Sequence, residues 1–110
     1  MSMVIDLHAH VVLEESFGTA GEYGPELSSD AKVQDFRVGD YVMRVPYRGS
    51  VFMNAQKRVD AMDALGIDLQ LLSPNPLSFF GYINATDALR FARASNDAMV
   101  KHIDLSLIHI

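Results

Sequence analysis

The sequence predicts an α/β fold built on parallel strands, and three observations carry that expectation. A short segment near the N-terminus, Met3 to His10, alternates apolar and polar residues as a half-buried strand does. A second run, Ile67 to Ser73, is apolar and ends at prolines, as a buried strand does. Between them lies a helix-patterned stretch with its own start and stop signals. Strand, helix and second strand in this order make one right-handed β-α-β unit of a parallel sheet.

In the first strand Val4, Ile5 and Leu7 favour extended backbone. Strict alternation sets Asp6, His8 and His10 on one face and Ile5 and Leu7 on the other. From Val11 to Met53 the pattern gives way to a long excursion, where Gly18, Gly21, Gly24 and Pro25, then Ser28, Ser29 and Asp30, mark turns. Within it, Asp35 to Tyr47 reads as a hairpin around Gly39 and Asp40. Connections of this length are usually functional or disordered.

Asn54 is placed to cap a helix running to about Leu65 and stopped by Gly66. Its inward stripe is Ala55, Val59, Met62 and Leu65, which leaves Lys57, Arg58, Asp60 and Asp63 as a solvated face. After the strand at 67–73 comes a loop with Leu77, Phe79, Phe80 and Tyr82. Thr86 then caps a second helix with the stripe Leu89, Ala92, Asn96, Met99 and Ile103. Met62 and Met99 are core at helical spacing, and Asn96 is a buried amide bonded to backbone.

Composition narrows the function classes. Of 110 residues, 49% are apolar and 21% charged, which is a globular balance and room for one domain. With no cysteine there is no disulfide scaffold and no thiolate metal site, so a metal would need His, Asp or Glu ligands. A net charge of -5 without a Lys/Arg cluster argues against a nucleic-acid partner. No basic leader and no run of about 18 apolar residues suggests a signal peptide or membrane span, so a cytoplasmic location is expected.

His8-Ala9-His10 carries the chemistry. Two imidazoles at i and i+2 share a strand face, with a small residue between them pointing away. Neutral imidazole is a common ligand for zinc and similar ions, and a rigid strand presents the pair with little entropy left to lose. An arbitrary HxH is as often two solvated histidines. Here the pair ends the first strand directly before the long loop, where a (β/α)8 barrel builds its site.

The opening IDLHAH resembles the metal-binding strand of the amidohydrolase superfamily. More of the chain is similar to its amidohydrolase-related branch, which includes aminocarboxymuconate-semialdehyde decarboxylase. Arg58 to Pro76 (RVDAMDALGIDLQLLSPNP) resembles that family's first helix and second strand. Phe79 to Tyr82 and the RASNDAMVKH segment resemble the family's next loop and helix, so the likeness spans roughly residues 3 to 103 and is weakest from Glu14 to Val33. The resemblance implies the first two β-α units of a (β/α)8 TIM barrel, truncated here, with a long insertion after the first strand. It implies a divalent metal, often zinc, held by His8 and His10 together with a histidine and an aspartate from later strands. It further implies hydrolysis or decarboxylation of a small carboxylic acid, with the complete enzyme compatible with a homodimer. Arg48 resembles the position that holds a substrate carboxylate in the decarboxylases, for which a planar guanidinium fork is suited; Arg44 is the alternative if the register shifts.

The barrel domain is expected over residues 1 to 104. Residues 105 to 110, LSLIHI, match one translated frame of a transposon-derived sequencing adaptor and are read as an artefact, which removes His109 from the site. The competing readings are a stand-alone metal-binding or interaction module and a fragment without function. A module would need a third ligand, and His102, near the end of the second helix, falls at the opposite barrel face from His8 and His10. Asp6 could orient a ligand or make a structural hydrogen bond, and Phe79, Phe80 and Tyr82 could wall a pocket or simply pack. With two ligands of the usual three or four, the chain alone is expected to be catalytically silent and to bind zinc weakly.

Overall fold

The computed structural model describes residues 2–29 and 32–107. Asp30 of the turn-rich stretch and His109 of the expected adaptor-derived tail lie outside the described residues. The architecture is mixed α/β with two sheets. Strand β1 spans Ile5–Val11, β2 Glu26–Leu27, β3 Gln34–Val38, β4 Tyr41–Val45 and β5 Leu69–Pro74. Helix α1 is Ala55–Leu65 and α2 Ala85–Leu107.

β1 and β5 pair in parallel, and the chain between them contains the excursion and α1, so the expected β-α-β connectivity is present. The ladder is irregular. Asp6 pairs with Gln70, but Ala9 pairs with Leu72, so Leu7 and His8 oppose the single residue Leu71. One extra residue inverts the alternation of faces beyond it. Gln70 and Ser73 are an odd number of positions apart and point to opposite sides. Asp6, paired with Gln70, therefore does not share a face with His10, paired with Ser73. Strict alternation along β1 fails at this point.

The excursion is a folded unit. β3 and β4 form the expected hairpin, with Val38 paired to Tyr41 across Gly39 and Asp40. Gly39 takes the first central position with a φ of 60°, a conformation that suits the tight primed turns favoured in hairpins. β2 adds a third antiparallel strand, too short for the residue pattern to reveal. Along β3, Gln34, Phe36 and Val38 are buried in alternation. Phe36 and Val38 join Val12, Ala20, Val45, Tyr47, Phe80 and Phe91 in the larger core. A smaller core joins Val11, Leu13 and Ala98. The apolar side chains of the β1–β5 sheet are largely open, with Leu7 72% and Leu71 52% exposed.

Both ends of α1 agree with the sequence signals. The Asn54 side chain accepts from the Lys57 amide at 2.9 Å. Gly66 closes the helix in the left-handed region, its amide bonded to Asp63 and Met62 carbonyls. The faces differ from expectation. Leu65 is exposed, whereas Arg58, expected on the solvated face, is only 7% exposed. In α2 the cap is Asn84, not Thr86: its Oδ1 accepts from the Asp87 amide at 2.9 Å. The buried residues are Phe91, Ser95, Ala98 and His102, while Leu89, Ala92 and Asn96 of the expected stripe face outward. Phe91 meets Phe80 edge-on at 4.8 Å, and this contact turns the helix away from its more apolar side. Among the described residues no helix is long and apolar enough to cross a membrane.

Candidate metal centre

His8 and His10 stand together on the C-terminal half of β1. Their rings meet edge to face with centroids 4.7 Å apart, so the irregularity before them does not separate the two imidazoles. The strand around them is clamped from behind. Arg58 on α1 donates from Nη2 to the His10 carbonyl at 2.8 Å and from Nη1 to Gln70 Oε1 at 3.0 Å. Gln70 Nε2 donates in turn to Asp6 Oδ2 at 3.0 Å, and Asp6 Oδ1 accepts from the His8 amide at 3.1 Å. Asp6 thus fixes the backbone of the motif, the structural one of the two roles open to it. Burial pulls the Arg58 pKa below the ordinary arginine value, and the Asp6 carboxylate opposes that shift.

On the open face, Ser73 Oγ lies 3.0 Å from His10 Nδ1. Among the described residues no protein group is bonded to His10 Nε2 or to either ring nitrogen of His8. Two neighbouring imidazoles with free nitrogens are suitable donors for zinc or a similar ion. Among the described residues no third His, Cys, Asp or Glu completes a group able to hold one. The donor set therefore fits half of a tetrahedral site.

Arg48 lies elsewhere along the excursion. Its Nε donates to the Ser28 carbonyl and Nη2 to the Leu27 carbonyl, both at 3.0 Å. Nη1 is 3.5 Å from Glu14 Oε1. The guanidinium borders a cavity of about 280 Å³ that also touches Leu13, Glu15, Asn54, Lys101 and His102. Neither His8 nor His10 lines this cavity, so Arg48 and the histidines do not share one pocket here. Arg44, the alternative, pairs with Asp35 across the hairpin at 3.2 Å on an exposed surface.

The aromatic loop divides. Phe80 is buried in the core, whereas Phe79 and Tyr82 are exposed. Phe79 and Phe80 border a second, mostly apolar cavity of about 350 Å³ beside the end of β5, with Pro74, Phe91 and Ser95. The loop thus both packs and walls a pocket.

His102 departs from expectation. α2 passes close to the residues after β1 instead of carrying His102 to the far end of the sheet, so His102 lines the Arg48 cavity with Leu13 and Glu15. It is 7% exposed, and its Nε2 has no hydrogen-bond partner among the described residues. Burial, reinforced by the Arg58 charge, lowers its pKa from the ordinary histidine value of 6.5, with Glu15 acting in the opposite sense. A histidine held neutral in the fold but protonated when unfolded contributes stability fully above pH 6.5. That contribution is lost as pH falls from there towards the lower folded-state value. Unfolding free energy should therefore decline on acidification below pH 6.5, and His102→Leu should flatten that decline. Urea titrations of both proteins at neutral and mildly acidic pH measure it; an unchanged slope in the variant would show that another group is responsible.

Comparison with known protein families and with characterised protein sequences gives no match.

Proposed function

We propose that this chain contributes the opening metal-binding strand of a metal-dependent hydrolase or carboxy-lyase of the amidohydrolase-related type, acting on a small carboxylic acid. The observation that supports the reading most is the paired presentation of His8 and His10, 4.7 Å apart, on a strand parallel to β5 and continued directly by a folded excursion. In a (β/α)8 barrel that end of the strand faces the site. A bound divalent cation supplies Lewis acidity there, polarising a carbonyl or lowering the pKa of a water.

His8 and His10 would donate ring nitrogens, with the Arg58–Gln70–Asp6 chain holding their backbone in place. Arg48 would hold the substrate carboxylate. Its Nη1 now faces the Glu14 carboxylate, a group of the same chemistry that a substrate would replace. The carbonyls of Leu27 and Ser28 meanwhile keep the guanidinium plane oriented.

In the active enzyme, His8→Ala or His10→Ala should weaken zinc binding by about 100-fold or more, since even outer partners of ligands are worth 10- to 100-fold. Arg48→Ala should lower kcat/KM by about 30- to 1,000-fold, roughly 2 to 4 kcal/mol, for acidic substrates and much less for neutral ones. Equal losses on both substrate types would assign Arg48 to folding. Unchanged metal content after both histidine replacements would remove the metal reading. For the 110-residue chain alone, submicromolar zinc binding abolished by His8→Ala would favour a self-sufficient metal module.

A further inference from the structure

We propose that Ser73 is a positioning residue that fixes His10 in its Nδ1–H tautomer and leaves the Nε2 lone pair for a divalent cation; this rests on the metal-binding reading of His8 and His10. Ser73 is the ladder partner of His10, and its Oγ lies 3.0 Å from His10 Nδ1 and 3.5 Å from the Ala9 carbonyl. A hydroxyl has one proton to donate and lone pairs to accept with. Directed at the Ala9 carbonyl, that proton leaves Oγ free to accept from Nδ1–H, and both contacts are made. Directed at Nδ1, it leaves the carbonyl contact unmade. A carbonyl can only accept, so the Nδ1–H form is the one that keeps both the 3.0 Å contact and the longer 3.5 Å one. An outer hydrogen bond of this kind orients a metal-binding imidazole and raises its basicity.

The surroundings keep the pair in register. Ser73 precedes Pro74, which confines its backbone to extended conformations. The His10 carbonyl is held from the other side by Arg58 Nη2 at 2.8 Å. The extra residue at Leu7–His8 sets His10 opposite Ser73 on one face. Among the described residues the His8 ring has no comparable partner and rests against the His10 ring. The two ligands are therefore unequal: His10 is oriented by the protein before any cation arrives, and His8 is oriented largely by His10.

Long-range proton–nitrogen correlation spectra of isotope-labelled protein, at a pH where both imidazoles are neutral, read the tautomers directly. The native protein and Ser73→Thr should show His10 mainly as Nδ1–H. Ser73→Ala should invert the ratio to the Nε2–H form that a solvated imidazole prefers, leave His8 unchanged, and weaken zinc binding by about tenfold. A His10 that is mainly Nε2–H in the native protein, or a ratio indifferent to Ser73→Ala with native amide shifts retained, overturns the proposal. A zinc titration separates the two levels. If millimolar zinc moves neither His8 nor His10 while Ser73→Ala still inverts the tautomer, the metal reading falls and the tautomer assignment stands. If zinc moves both and Ser73→Ala changes neither tautomer nor affinity, Ser73 loses its role and the metal reading stands.

Discussion

Arg58→Ala is expected to lower the unfolding free energy by about 3 to 4 kcal/mol, far more than any other charged position of α1. A buried arginine deprived of its site leaves behind whatever it was satisfying, and each buried polar group left unpaired costs about 1 to 3 kcal/mol. Arg58 is 7% exposed and donates to both Gln70 Oε1 and the His10 carbonyl. Alanine also removes the buried apolar stem of the side chain. Arg58→Lys keeps the charge but not the fork, retaining at most one of the two bonds, and should fall between native and alanine. Asp63→Ala on the exposed side of the same helix should stay within about 0.5 kcal/mol. Urea midpoints at constant slope compare the three, and a loss below about 1 kcal/mol for Arg58→Ala would show that water replaces the guanidinium freely.

Phe36→Ala should cost about 3 to 5 kcal/mol, the range for emptying a buried aromatic site. Phe36 is 1% exposed and meets Tyr47 edge-on at 5.3 Å. It is also the ladder partner of Leu27, whose carbonyl accepts from Arg48. The same replacement should therefore loosen the support of Arg48 as well as the core. Val42→Ala, on the exposed side of β4, is the matched control and should be nearly neutral. If thermal unfolding shows equal losses at both positions, the three-stranded sheet is not packed as described.

The features legible in the sequence are those written in local chemistry. Asn54 and Gly66 bound α1 because a side-chain oxygen at the start and a left-handed residue at the end meet needs of adjacent backbone. Gly39-Asp40 marks the hairpin for a similar reason. The burial of Arg58 has no local signature, since its partner at His10 is 48 residues away. In α2 two stripes compete: the more apolar one, through Leu89 and Ala92, is outward, and the buried one is disguised by Ser95 and His102. Periodicity identifies the more apolar side of a helix, whereas packing depends on which residue fits the neighbouring core, here Phe91 against Phe80. His8 and His10 are legible as a pair, but Ser73 is not, because strand register is a relation between segments.

The extra residue in β1 gives the strand a phase. Upstream of it Asp6 falls in step with Gln70, and downstream His10 falls in step with Ser73, two side chains that point opposite ways. Asp6 can therefore serve the clamp behind the sheet while His10, four residues later, presents its ring in front. Substitutions at Leu7, whose side chain is exposed, leave that phase untouched. A one-residue deletion at Leu7 would close the bulge, leaving two residues between Asp6 and His10 to match Leu71 and Leu72, and so keep His10 opposite Ser73. Length is thus constrained between the two histidines, where one inserted residue would set the imidazoles on opposite faces, and not before them, a constraint on how this strand can vary that residue identity alone does not express.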